Sequence, residues 1–245
     1  MGLGVSTEIS VVIPTRNEER VIEETLRQFQ TLKQRHGLEI IVSDGGSDDA
    51  TVAIARRYAD KLVAQPRQKT IAVGRNAGAL AATGDLLFHT DADVRIPHPE
   101  NFFRKILAAF ADESVVAVTC GLRIYKEEEL LRDRFWHWWM NNAVRWAIPF
   151  GARKGKGECQ VVRRSAFEEI GGYEEWIVAG EDCDLFERLA RIGTVRYLSD
   201  LEVEHSPRRF RKIGYCRLIF LVYLRESLSL LLRKRSHLDE WHPIR

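Results

Sequence analysis

Three acidic segments carry the residues whose types and spacing could do chemistry: Ser43-Asp44-Gly45-Gly46-Ser47-Asp48-Asp49, Thr90-Asp91-Ala92-Asp93 and Gly180-Glu181-Asp182-Cys183-Asp184. Each falls where a predicted strand or loop ends. Burying such carboxylates unpaired is costly, so a cation or a polar ligand is expected beside them. Asp91 and Asp93, one residue apart after an apolar strand, are hard oxygen donors of the kind that hold Mg2+ or Mn2+ together with phosphate oxygens and water. A solvated turn, or a cap for the helix after Pro97, is the plainer alternative for that pair. Glu181 and Asp182 open a predicted helix whose positive end favours ionised carboxylates, and an ionised Asp182 would accept a proton from a hydroxyl group. Asp184 is expected to pair with Arg188 at i+4, a structural role.

Pro14-Thr15-Arg16-Asn17-Glu18 and Asp44 end the first two predicted strands, where hydroxyl, amide and carboxylate groups could read a base and a ribose, with Gly45-Gly46 allowing close backbone approach. Ordinary turn and cap chemistry competes there, in particular Asp48 or Asp49 capping the next helix. Lys69, Arg75 and the loop Arg153-Lys154-Gly155-Lys156 bring positive charge near the same edge. His205 is either a third metal ligand through a ring nitrogen or a polar surface residue. Transfer of a sugar from a nucleoside diphosphate needs a cradle for the nucleoside, a cation for the departing diphosphate and a base for the acceptor hydroxyl. Each requirement has a candidate in this chain.

The elements that must position these residues follow from periodicity. Residues 9–14 form a β-rich apolar run closed by Pro14, and Ile22, Leu26 and Phe29 then recur at helical spacing. A second strand is expected at 38–42, a helix at 49–58, a short strand at 61–64, a helix at 74–82 and a buried strand at 86–90. Beyond these come a strand at 115–124, a long aromatic-rich helix at 127–147, a strand near 158–162, a turn at Gly171-Gly172, a helix at 181–191 and a strand at 194–198. Alternating strands and helices of this length imply an α/β, Rossmann-like, mainly parallel central sheet flanked by helices, with ligands at the carboxyl ends of the strands. One large domain is expected over residues 1–206, with a nucleotide-binding half at about 1–95 and an acceptor half at about 96–206. A basic and apolar helical extension follows at 207–245.

Lys and Arg exceed Asp and Glu by only two, 37 against 35, so no overall field draws the chain to nucleic acid. The four cysteines lie far apart with no zinc-type pairing, which reads as reduced thiols. Residues 1–8 lack a secretory pattern, and no apolar run is long enough to span a bilayer. A cytoplasmic location is the expectation.

Taken in order, Val12-Ile13-Pro14-Thr15-Arg16-Asn17-Glu18, Ser43 to Asp49, Gly74-Arg75-Asn76-Ala77-Gly78, Thr90-Asp91-Ala92-Asp93, Gly171-Gly172-Tyr173 and Gly180-Glu181-Asp182 closely resemble the motifs of family 2 glycosyltransferases over about residues 9–209. The resemblance implies a GT-A fold and an inverting transfer from a nucleoside-diphosphate sugar, UDP favoured. It implies a nucleotide pocket of Pro14, Thr15, Asn17, Glu18, Asp44, Lys69 and Arg75, with Asp91 and Asp93 holding ribose and metal (Mn2+ or Mg2+). Asp182 would be the catalytic base, and a His at the position of His205 would complete the metal site. No Q-x-x-R-W motif and no spanning helix is present, so one sugar per encounter is expected rather than polymerisation.

The acceptor, lipid-linked, saccharide or small metabolite, is not fixed by these residues. Glu181 and Trp139 are candidates for orienting it. Trp136, Trp138, Trp139 and Trp146 suggest a sugar platform, a membrane-facing surface or plain packing. Nine Lys or Arg against Glu226 alone between Pro207 and Ser236 suggest peripheral contact with anionic lipid over about 207–235, at the inner face of a membrane; a homodimer contact or core packing is an equal rival. A non-catalytic nucleotide-sugar-binding protein, and a nucleotidyltransferase or metal phosphatase, are the competing readings.

Overall fold

A computed structural model describes residues 8–66, 70–147 and 155–218. Lys69, Arg153, Lys154 and most of the 207–245 extension lie outside them, as does the side chain of Trp146.

An eight-stranded sheet runs in the order β3-β2-β1-β4-β7-β6-β8-β5. Its first half comprises β1 (Ile9–Thr15), α1 (Ile22–His36), β2 (Leu38–Asp44), α2 (Thr51–Ala55), β3 (Lys61–Ala64), α3 (Ile71–Ala81) and β4 (Leu86–His89). β1 pairs in parallel with both β2 and β4, and β2 with β3. The second half comprises β5 (Val94–Arg95), α4 (Pro99–Phe110), β6 (Val115–Ile124), α5 (Leu131–Ala147), β7 (Gln160–Arg163), α6 (Arg164–Glu169), α7 (Glu181–Leu189), β8 (Thr194–His205) and α8 (Arg208–Ile213). Here β7 runs antiparallel between β4 and β6, β8 lies parallel to β6, and β5 pairs antiparallel with β8. The parallel core expected from the sequence is thus joined to a mixed half.

Burial on both faces explains the apolar runs. In β1, Ile9, Val11 and Ile13 join Ile22, Leu26 and Phe29 of α1 and Phe102, Phe103 and Ile106 of α4 in one core, while Ile41 and Leu87 of the neighbouring strands point to the other face, against Ala72, Leu185 and Phe186. This is the period-two alternation of a sheet covered on both sides. α1 stops at Gly37, whose φ of 61° is the left-handed cap geometry, with its N–H bonded to the Lys33 carbonyl. α3 presses on β1 at Gly78, where an added Cβ would lie 2.4 Å from Val12 Cγ1.

β8 departs most from expectation. Its pairing with β6 breaks after Cys120 opposite Leu198 and resumes with Gly121 opposite Glu202, so residues 199–201 form a bulge, with Ser199 and Asp200 exposed and Leu201 in the core, and the strand continues to His205. Ser199 and Asp200 interrupt the apolar pattern, which is why periodicity ends the strand early. The aromatic helix divides its rings: Trp136 stacks on Tyr215 at 5.7 Å, while Phe135, Trp138 and Trp139 are exposed. Residues just past α8 pack back onto this helix, with Phe210, Tyr215 and Leu218 joining Ile124, Trp136 and Met140. Among the described residues no helix is long and apolar enough to cross a membrane. Cys120 and Cys159 are buried free thiols, Cys183 is half-buried and Cys216 exposed.

Candidate active site

Parallel register brings the first group together. Pro14 lies opposite Ser43 and Thr15 opposite Asp44, at the carboxyl ends of β1 and β2. The Asp44 carboxylate accepts the N–H groups of Gly46 and Ser47, each at 3.0 Å, and the Ser47 hydroxyl, with Thr15 Oγ1 at 3.5 Å. Asn17 adopts φ 57°, a left-handed conformation that a short amide tolerates; its Oδ1 accepts the Asp48 N–H at 2.9 Å and its own N–H goes to Ser47 Oγ at 2.8 Å. The loop after β2 is therefore braced against the loop after β1. Asp49 does act as a local cap, accepting the Thr51 N–H at 2.9 Å.

Arg75 is the hub of a second group. It sits on α3, 1% exposed. One Nη donates to Glu181 Oε1 at 2.7 Å, and the other to Asp91 Oδ1 at 3.0 Å and the Gly157 carbonyl at 2.9 Å. Its guanidinium also lies 5.5 Å from the ring centroid of Tyr173. α7 begins at Gly180, whose φ of 86° turns the chain so that Glu181 and Asp182 occupy the first turn. An ideal Cβ on Gly157 would lie 3.2 Å from Arg75 Nη2 and 3.9 Å from Asp182 Oδ2, so Asp182 borders the same pocket. Asp184 pairs with Arg188 at 2.7 Å, the helical pair read from the sequence.

A third group surrounds Asp93. Arg208, at the start of α8, reaches Glu18 at 2.6 Å and Asp93 at 3.2 Å. Tyr125 donates its hydroxyl to the Asp93 carbonyl at 2.6 Å. His205 pairs with Val94 across β5 and β8, and its Nδ1 is 4.0 Å from Glu158 Oε1 while its Nε2 is 3.0 Å from Nε2 of His137. Trp139 stands apart on α5, half-exposed and edge-on to Trp136.

Charge is unbalanced in this cleft. Burial raises the pKa of Asp93 and Glu18, with Arg208 opposing in both cases, and burial raises that of Asp182 against the pull of Arg75. Glu158 is pushed up to about 7 by burial and then by the charge of Asp91. Glu181 also rises to about 7 through burial, against the pull of Arg75. Among the described residues Arg75, Arg208 and Arg209 oppose the charge of Glu18, Asp91, Asp93, Glu158, Glu181 and Asp182, fewer cations than acids, so a divalent cation suits the chemistry of the set. Among the described residues no three His, Cys, Asp or Glu form a metal-holding group unaided, so a metal held here would need oxygens from a ligand as well.

Glu158, Arg208 and His137 were not singled out in the sequence. Arg208 follows His205 by three residues, a local spacing that could have flagged it; Glu158 and His137 reach the cleft only through tertiary packing.

The family model for glycosyl transferase family 2 matches residues 10–171, more than half of the chain. Among characterised proteins, the chain is 29% identical over 201 residues to the probable glycosyltransferase YdaM of Bacillus subtilis, covering 76% of this chain and 47% of that one. It is 29% identical over 204 residues to the succinoglycan biosynthesis protein ExoA of Rhizobium meliloti, covering 80% and 62%. The chain thus spans about half to two thirds of these relatives. Among solved structures, the mannosyltransferase PcManGT of Pyrobaculum calidifontis, in complex with GDP-Man and Mn2+, superposes with a TM-score of 0.65 at 24% identity, covering 89% of this chain and 64% of that one. Glucosyl-3-phosphoglycerate synthase of Mycobacterium tuberculosis, in complex with Mn2+, UDP and its product, gives 0.63 at 21%, covering 94% and 80%. These likenesses show the GT-A fold. By the match to its model, the chain belongs to glycosyltransferase family 2.

Proposed function

We propose that this chain moves a single sugar from a nucleoside-diphosphate sugar to a hydroxyl acceptor, with inversion and with help from Mn2+ or Mg2+. The observation that carries the reading is the double engagement of Arg75 by Asp91 and Glu181, which joins the D-x-D segment to the helix that bears Asp182. Support also comes from the two solved relatives, whose complexes hold Mn2+ with GDP-Man or UDP.

Pro14, Thr15, Asn17, Glu18 and Asp44 line the nucleotide side, with Asp91 toward the ribose and Lys69 and Arg75 adding positive charge. Asp93 and His205 would hold the metal, the donor diphosphate completing its ligands; when bound, it neutralises charge on the departing phosphates. Asp182 accepts the proton of the acceptor hydroxyl as that oxygen bonds to the anomeric carbon, while the bond from that carbon to the diphosphate oxygen breaks and the nucleoside diphosphate leaves. A carboxylate whose pKa burial has raised is the stronger base for that step. Glu181, fixed by Arg75, and Trp139 are assigned to the acceptor side. The exposed face of Leu131, Phe135, Trp138 and Trp139, together with the basic stretch after Pro207, supports an acceptor met at the cytoplasmic surface of a membrane.

The test is a panel of UDP-, GDP- and dTDP-sugars with Mn2+, read by melting shift and by release of nucleoside diphosphate. A shift with one donor and metal, followed by turnover that disappears in Asp182→Asn, supports the proposal. Binding without turnover under any acceptor supports a non-catalytic sugar-nucleotide binder instead, and release of pyrophosphate from a nucleoside triphosphate supports a nucleotidyltransferase.

A further inference from the structure

His205 and His137 face each other through their Nε2 atoms at 3.0 Å, both rings almost fully buried. That distance needs one proton between the two nitrogens. Two protons would set N–H against N–H, and none would set lone pair against lone pair. The other end of His137 decides which ring supplies the proton. Its Nδ1 lies 2.9 Å from the backbone carbonyl of Asp133, which can only accept, so Nδ1 carries a hydrogen. The nearby Tyr215 hydroxyl agrees: it donates to Asp133 Oδ1 at 3.0 Å and offers only a lone pair to Nδ1 at 3.4 Å. A neutral His137 therefore presents a bare Nε2, and His205 must be the donor. In neutral His205 a hydrogen on Nε2 leaves Nδ1 bare, and this is the nitrogen that faces Glu158 at 4.0 Å.

We infer that His137 is a positioning residue that locks His205 in its Nε2–H tautomer, so that the Nδ1 lone pair of His205 is the one offered to a divalent cation in the cleft. The inference rests on the reading of His205 as a metal-holding residue and adds the atom and its cause. The chain of hydrogen bonds runs from the Asp133 carbonyl through His137 to His205, on α5 and the end of β8. Its base is closed by α8 and the residues after it: Tyr215 and Arg211 both reach the Asp133 carboxylate, at 3.0 and 3.4 Å, and Asp133 is fully buried. Outer partners of metal-bound imidazoles characteristically fix the tautomer and ring orientation in this way.

Long-range proton–nitrogen NMR on the metal-free protein with labelled histidine reads the tautomers directly. The expected result is His205 protonated at Nε2 and bare at Nδ1, with His137 the reverse. In His137→Phe the acceptor is gone and His205 should lose its single tautomer; in His137→Gln the side-chain carbonyl can replace Nε2 and should restore it. Calorimetric binding of Mn2+ in the presence of UDP or GDP should weaken about 10- to 100-fold in His137→Phe and recover in His137→Gln, with the melting temperature of each variant recorded as a check on folding. A wild-type His205 found protonated at Nδ1, or a folded His137→Phe protein with unaltered His205 tautomer and unaltered Mn2+ affinity, overturns the inference. The NMR readout needs no metal, so a wild-type protein that binds no Mn2+ would overturn the metal reading of His205 while the tautomer lock is still decided separately.

Discussion

Arg75 and Glu181 meet at 2.7 Å although 106 positions separate them in the chain, and the same guanidinium holds Asp91 at 3.0 Å. One planar cation thus serves carboxylates from two different parts of the sheet edge. Arg can do this because its donors form a fork, whereas the ammonium of Lys is a point charge on a flexible stem. The arrangement couples the D-x-D segment to α7, and its removal would leave buried acids without a partner.

Replacing Arg75 by Met should therefore cost about 3–5 kcal/mol of stability, the penalty for breaking a buried ion pair from one side. Arg75→Lys should fold better than Arg75→Met yet lose activity, since it cannot span both acids. Urea denaturation of the two variants checks this; a loss below about 1 kcal/mol, the level of an exposed pair, would contradict the buried-hub description.

Asp182→Asn keeps shape and removes basicity. Transfer should fall by about 10²- to 10⁴-fold while the melting shift produced by the nucleotide sugar persists. Initial rates and melts on the same preparation separate the two effects, and near-wild-type turnover would remove Asp182 from the base role.

The acid-rich cleft makes the metal-free protein sensitive to pH. Glu158 rises from an ordinary 4.5 to about 7 on folding, so its contribution to stability is full below pH 4.5 and is lost as pH climbs through 7. Glu181 shifts in the same direction. Melting temperatures of chelator-treated protein should decline across that window, and Glu158→Gln should flatten the decline. An equally steep curve in the variant would assign the dependence elsewhere.

Metal and nucleotide together, at a hundred times their dissociation constant, should add about 2.7 kcal/mol. In Asp93→Asn the Mn2+-dependent part should vanish while the effect of nucleotide alone remains. Thermal melts with and without chelator measure both.

Arg208 stands as counter-ion to Glu18 and Asp93. Arg208→Gln should lower the stability of the chelator-treated protein, and Mn2+ with nucleoside diphosphate should recover more stability in the variant than in wild type. An unchanged metal-free melting temperature would show that this bridge contributes nothing measurable.

What the sequence made legible is what local spacing encodes. The runs of β1, β2 and β4 and the stripe of α1 announce themselves by period, and the motifs ending those strands lead straight to Thr15, Asn17, Asp44 and Asp91. Asp49 as a cap and Asp184 with Arg188 are likewise short-range features, and the structure bears them out. The antiparallel insertion of β7 was not legible, because a four-residue apolar run does not state which neighbour it pairs with. Nor was the Asp133, His137 and Tyr215 network, whose members are joined by packing between α5 and the residues after α8. Asp44 shows both sides at once: the motif puts it at the carboxyl end of β2, where the structure has it, yet much of its hydrogen-bonding capacity is taken up by its own loop.

The bulge at residues 199–201 divides β8 into two separately registered pieces. The piece ending at His205 is held by Gly121 to Ile124 on one side and by Val94 and Arg95 on the other, whatever the length of the loop before it. The exposed Ser199 and Asp200 are where a change of length would fall outside both registered pieces. The sheet carries a slack joint in front of the imidazole proposed to hold the metal.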